Sequence, residues 1–140
     1  MRRFKFNLEK ILQLRKFKEE EAKIALGHAI SVLNAIENQI KETALKQHHA
    51  ATERFNNPLE MASWDTYILR LEQEAEKLAE QAARQEIVVE EKRNLYLEAQ
   101  KDLKALEKLK EKQQKEYRKE MLNYQMNQVD ELTAARRIAQ

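Results

Sequence analysis

The stretch Phe55-Asn56-Asn57-Pro58-Leu59-Glu60-Met61-Ala62-Ser63-Trp64 contains the only proline of the chain and decides the fold. Inside a helix, proline removes a backbone donor and clashes with the preceding turn, whereas it is tolerated at the first position of a helix. Asn57 can cap the helix that Pro58 begins, and Glu60 stands three residues later, as a capping box requires. Ser63 offers a second start for the same helix. The stretch therefore predicts the tip of a helical hairpin at about residues 57–63.

The composition favours long helices over a compact globular core. The 140 residues include one glycine, one proline and no cysteine, so few residues are available for turns and none for disulfides. Charged residues make up 36% and aromatic residues only 6%, which is typical of coiled coils. We expect a single all-α domain over 1–140, with helix 1 at about 7–56 and helix 2 at about 64–137.

Apolar residues recur at alternating steps of four and three on both sides of the tip, which predicts the seam of a left-handed coiled coil. In helix 1 the seam positions are Leu8, Leu12, Arg15, Glu19, Ala22, Leu26, Ala29, Leu33, Ile36 and Ile40. In helix 2 the same spacing runs from Trp64 to Tyr124. Folding the chain at the tip places Leu12 opposite Leu106, Ala29 opposite Val89 and Ile36 opposite Ala82, so that large residues mostly meet small ones. The predicted fold is a long antiparallel two-helix coiled-coil hairpin.

Helix 2 is longer than helix 1, which predicts a C-terminal helical overhang. The overhang carries Tyr117, Met121, Tyr124, Met126, Val129 and Leu132. Aromatic residues and methionines without an intrachain partner are typical of a docking surface. The alternative is a frayed helix tail whose apolar residues are incidental. The chain start is basic, with Arg2, Arg3 and Lys5, and could steer docking into an acidic socket.

Several classes of function find no support in the sequence. The net charge of +2 gives no reason to expect nucleic acid binding, and no apolar run approaches the roughly 18 residues of a membrane-spanning helix. His48 and His49 point about 100° apart on a helix, so solvated histidines are a better interpretation than metal ligands. We find no phosphate loop, metal cluster or nucleophile with a base, and we expect neither catalysis nor a cofactor. Gly27 indicates either a tolerated weak point of helix 1 or a close helix approach.

Three parts of the chain carry a resemblance to a known family, the flagellar FliJ family. The opening contains Phe4, Phe6, Leu8, Glu9, Ile11, Leu12, Leu14, Arg15, Glu19 and Ala22 in an order similar to the start of that family. The segment with Trp64, Tyr67, Ile68 and Leu71 looks like the start of its second helix. Leu103 to Leu109, Tyr117 and the late pair Asp130 and Glu131 are similar to its C-terminal pattern. The resemblance covers nearly the whole chain.

This resemblance implies a non-enzymatic component of the bacterial flagellar type III export apparatus. Members resemble the central stalk of rotary ATPases, and are expected to insert the end with both termini into the hexameric export ATPase FliI. They also engage the export gate protein FlhA and assist export chaperones. The implied location is the cytoplasm, at the periphery of the membrane-embedded apparatus, and the protein alone is expected to be a monomer.

The same resemblance suggests which residues bind these partners. The ATPase end would comprise Arg2, Arg3, Lys5, Tyr117, Met121, Tyr124, Val129 and Leu132. The gate surface would comprise Tyr67, Ile68, Leu71 and Ala75. Three other functions remain open: a self-associating coiled-coil scaffold, a holdase-type chaperone that binds clients at the hairpin tip, and the equivalent stalk of a virulence secretion system.

Overall fold

The computed structural model describes residues 2–139, and two long helices account for nearly all of them. Helix α1 spans Glu9–Asn56, a single 3-10 turn spans Pro58–Glu60, and helix α2 spans Met61–Ala139. The described residues contain no strand. The chain is therefore an all-α helical hairpin, as the apolar spacing predicted. Helix α2 begins at Met61, three residues before the position expected from Trp64.

The hairpin tip differs from the prediction in how Asn57 is used. Pro58 takes the first position of the 3-10 turn, where its missing N–H has no cost. The Asn57 side chain makes no capping hydrogen bond to this turn. Instead, its Nδ2 donates to the backbone carbonyl of Glu53 at 2.8 Å and to Glu53 Oε2 at 3.0 Å. The predicted side-chain cap by Asn57 is wrong, because its amide donates back to the end of α1.

The chain forms two compact units, and the first consists of the described residues up to Glu19 and from Glu98 onward. Its interior contains Phe6, Leu12 and Leu106, with Phe4, Leu8 and Leu103 packed against them. Leu12 and Leu106 therefore share one cluster, as the predicted pairing of the helices requires. Arg15 Nη1 adds a 2.9 Å hydrogen bond to the backbone carbonyl of Asp102.

The second unit, Glu20–Leu97, contains the tip. Its buried residues are Ala29, Thr43, Ala50, Leu71, Leu78, Ala82 and Val89. Helix α1 contributes small side chains to this interior, and α2 contributes Leu71, Leu78 and Val89, so large residues fill the space that small ones leave. Gln85 Nε2 donates to the carbonyl of Ala29 at 3.0 Å. The α1 seam continues through Thr43 and Ala50, beyond Ile40, the last of its predicted positions.

Gly27 has an open environment in the second unit. A Cβ atom built on this residue would meet no heavy atom within 4 Å. A close approach of another part of this chain therefore does not explain the glycine.

Candidate partner-binding surfaces

A short N-terminal segment, residues 2–8, is anchored to α2 within the first unit. The Tyr117 hydroxyl donates a 2.7 Å hydrogen bond to the backbone carbonyl of Arg2. The ring of Tyr117 also packs on Phe4, with ring centroids 5.5 Å apart and an angle of 48° between the planes. Tyr117 is half-buried by these contacts. Tyr117 therefore holds the N-terminal segment against α2. The contacts of Tyr117 with Arg2 and Phe4 are here called the clasp.

The basic side chains near this clasp differ in their surroundings: one forms an ion pair, and three are exposed to solvent. Lys110 is paired, because its Nζ lies 2.9 Å from Glu9 Oε2 and 6.0 Å from the centroid of the Phe6 ring. Hydrogen bonds from Lys110 and then Gln13 hold the pKa of the Glu9 carboxyl below its ordinary value. Arg2, Arg3 and Lys5 are exposed.

Helix α2 continues past the clasp, and beyond Met121 no described part of the first unit buries its side chains. Met121 is half-buried, and every described residue from 122 to 139 is exposed. We call residues 122–139 the C-terminal overhang. The exposed fractions of three predicted partner-binding residues are 45% for Tyr124, 59% for Val129 and 65% for Leu132. The docking residues expected on this segment are thus open to solvent.

The overhang also exposes apolar residues that the predicted set omitted, namely Leu122 and Ile138. Leu122, Gln125, Met126, Val129 and Asp130 line a shallow groove of about 240 Å³. Gln128, Glu131, Leu132 and Ala135 line another. Leu122 was missed because the seam spacing of α2 selects a different face of the helix, and Ile138 was missed because the predicted seam ends at Tyr124.

The four predicted gate residues lie in the second unit and differ in their exposure. Leu71 is only 2% exposed. Tyr67, Ile68 and Ala75 are half-buried. The side chain of Leu71 therefore packs between the helices, whereas the other three retain surface that a partner could contact.

A groove at the tip, here called the tip groove, is lined by His49, Glu60, Ser63, Trp64 and Tyr67 and has a volume of about 450 Å³. Trp64 meets His49 with ring centroids 6.4 Å apart at 71°, and it meets Tyr67 at 6.0 Å and 73°. Both pairs have the edge-to-face arrangement that aromatic rings prefer. The sequence analysis missed this groove, although Trp64, as the only tryptophan, was a signal.

The interpretation of His49 as a surface histidine agrees with its position. Its side chain is 70% exposed, and its Nε2 lies 3.7 Å from Glu53 Oε1. Within residues 2–139, no group of three His, Cys, Asp or Glu side chains could hold a metal ion. Among the same residues, no helix has the length and apolar character needed to span a membrane.

The comparisons with known proteins give one result. The model of the family described as "Flagellar FliJ protein" matches residues 4–140, which is nearly the whole chain. No curated protein and no solved structure matches the chain.

Proposed function

Because this chain belongs to the flagellar FliJ protein family, a family of non-enzymatic flagellar export components, we propose that it is the stalk and adaptor of the export ATPase. In this role it inserts into the hexameric ATPase FliI, contacts the export gate protein FlhA and assists export chaperones. It acts in the cytoplasm, at the periphery of the membrane-embedded apparatus, and it is monomeric when alone. The flagellar role is preferred over the virulence equivalent because of the family match.

The observation that carries the proposed ATPase contact is the unpartnered overhang. In proteins most of the stability of a helix comes from the packing of its apolar face. Here Val129 and Leu132 are exposed by more than half of their surface. A ring with an apolar lumen would bury them and order the helix. The exposed bases Arg2, Arg3 and Lys5 supply charge that favours approach to an acidic ring entrance.

The proposed contact with the gate involves Tyr67, Ile68, Leu71 and Ala75. Tyr67 presents a ring and a hydroxyl at the tip groove, and tyrosine is enriched where proteins bind one another. Leu71 would act indirectly, because its buried side chain keeps the two helices packed beneath the half-buried neighbours.

The experiment that tests the ATPase contact is a mass measurement by light scattering over a concentration series, alone and with the cognate ATPase hexamer. A monomer that co-elutes with the ring and raises its ATPase rate supports the proposal. A chain that neither co-elutes nor changes the rate contradicts it. A self-dimer that ignores the ring supports the scaffold alternative instead.

A pair of double variants separates the overhang from general surface effects. Val129→Lys with Leu132→Lys places two charges on the proposed interface and should abolish co-elution. Leu95→Lys with Leu97→Lys is the matched control, because these α2 residues are 54% and 53% exposed and lie outside the overhang. The control should bind the ring like the unaltered chain, and an equal loss in both variants would contradict the assignment.

A further inference from the structure

We infer that the tip groove binds an arginine side chain of a partner protein. The groove is the one formed by His49, Glu60, Ser63, Trp64 and Tyr67. This inference deepens the proposed gate contact, since Tyr67 belongs to both, and it rests on that proposal for the identity of the partner. The chemistry of the occupant follows from the rings and the charge of the groove.

The three aromatic rings of the groove contact one another edge to face. Trp64 is half-buried and meets His49 from α1 and Tyr67 from its own helix at angles near perpendicular. An edge-to-face contact covers a face of only one ring of the pair, whereas face-to-face stacking would cover a face of both. Tryptophan offers the strongest attraction for a cation among the aromatic side chains, and tyrosine follows.

The aromatic rings favour a cation, and the acidic side chains at the tip favour one as well. The acids around Glu60 already have partners: Glu53 accepts a hydrogen bond from Asn57, and Asp65 is paired with Arg54. No hydrogen bond or ion pair joins the Glu60 carboxylate to another side chain among residues 2–139. Within the described part of the chain, Glu60 is therefore an acid of the tip without an ion pair, and it lines the same groove as Trp64.

A guanidinium group satisfies both features at once. Its planar face can lie on an aromatic ring while its N–H groups donate to a carboxylate in a two-pronged arrangement. The hydroxyls of Ser63 and Tyr67 are further acceptors at the groove wall. A lysine ammonium ion is more strongly hydrated and has no planar face, so arginine is the better match.

The single tryptophan makes the groove directly observable in the full-length chain, because all indole fluorescence comes from Trp64. The probe is N-acetyl-argininamide, and the matched control ligand is N-acetyl-citrullinamide, which has nearly the same shape without the charge. We expect a saturable change in Trp64 fluorescence with arginine, at a dissociation constant on the order of 1 mM for a ligand of this size. Citrulline should produce no saturable change.

Two variants locate the binding. Glu60→Gln should weaken arginine binding by up to about fivefold, the upper end of the contribution of one exposed ion pair. Glu80→Gln is the matched control, because Glu80 is also an exposed acid of α2 but lies outside the groove. An equal response to citrulline, or equal binding by Glu60→Gln and the unaltered chain, would overturn the inference.

Capture of the purified gate protein distinguishes this inference from the proposed function. If the unaltered chain captures the gate protein but shows no arginine response, the inference is wrong and the gate contact stands. If Glu60→Gln lowers both the arginine affinity and gate capture while Glu80→Gln lowers neither, the arginine belongs to the gate protein and the inference is supported.

Discussion

The side-chain amide of Asn57 donates a 2.8 Å hydrogen bond to the backbone carbonyl of Glu53, so the residue that precedes the only proline completes the first helix rather than starting the second. The backbone N–H of Asn57 donates to the same carbonyl at 3.0 Å. Both donors of Asn57 thus converge on one carbonyl in the last turn of α1, and the turn at Pro58–Glu60 begins directly after it.

This arrangement predicts that Asn57→Asp destabilises the protein more than Asn57→Ala. Alanine removes the amide donor and should lower the free energy of unfolding by about 0.5–1.5 kcal/mol, the usual net contribution of a hydrogen bond. Aspartate also places a carboxylate beside the Glu53 carboxylate and the negative end of the helix dipole. Urea denaturation at pH 7 measures the difference. An Asp variant as stable as the unaltered chain would instead fit an N-cap, where Asn and Asp are equivalent.

Gly27 yields a second prediction, because its surroundings are open. Gly27→Ala should raise the free energy of unfolding by about 0.5–1 kcal/mol, since alanine favours the helix and meets no neighbour within 4 Å. Thermal denaturation followed by circular dichroism would measure it. The control is Ala35→Gly, an exposed α1 position where the reverse change should destabilise by a similar amount. A loss of stability in Gly27→Ala would contradict the open environment.

Much of the fold was predictable because one repeating pattern specifies it. The positions from Leu8 to Ile40 that the spacing assigned to the seam are buried or half-buried. Leu12 and Leu106 share a core cluster because a fold at Pro58 fixes which residues face each other. Thr43 is buried although it is polar, because its burial follows from its place in the repeat, three residues after Ile40.

The features that the sequence did not reveal depend on hydrogen-bond directions and side-chain contacts that are fixed only in the folded chain. The amide of Asn57 can accept a hydrogen bond through its oxygen or donate through its nitrogen, and only the local backbone decides between them. The tip groove depends on the contact between His49 of α1 and Trp64 of α2. The apolar pattern of one helix does not predict such a contact between two helices. The open face of the overhang at Leu122 lies outside the repeat that identified the seam.

The ion pair between Glu9 and Lys110 predicts a pH-dependent contribution to stability. The pKa of Glu9 is lowered from its ordinary 4.5, first by the hydrogen bond from Lys110 and then by that from Gln13. A carboxyl whose pKa is lower in the folded state stabilises that state above its unfolded pKa, and this contribution is lost as the pH falls through the folded pKa. The benefit should thus be complete near neutral pH and should disappear below pH 4.5.

The measurement is the melting temperature of the unaltered chain and of Glu9→Gln as a function of pH. The variant should melt lower at pH 7, and the two curves should converge as the pH falls below 4.5. Glu107→Gln is the control, since Glu107 is an exposed acid of α2 in the same unit. A difference between Glu9→Gln and the unaltered chain that stays constant down to pH 2 would show that the carboxylate charge of Glu9 does not contribute.

Removal of the C-terminal overhang tests whether this segment contributes to the folded core. Every described residue of the segment is exposed. The buried cluster of the first unit consists of Phe6, Leu12 and Leu106, none of which lies in the overhang. A chain ending at Met121 should therefore unfold with the same free energy to within about 0.5 kcal/mol, as expected when no buried contact is removed. Urea denaturation followed by Trp64 fluorescence and by circular dichroism would measure this value.

A chain ending at Glu116 is the informative comparison, because it also removes the ring of Tyr117 from Phe4 and its hydrogen bond to Arg2. This shorter chain should be less stable in the first unit, with faster amide hydrogen exchange at residues 4–8. Equal destabilisation by both truncations would mean that the overhang contacts the rest of the chain.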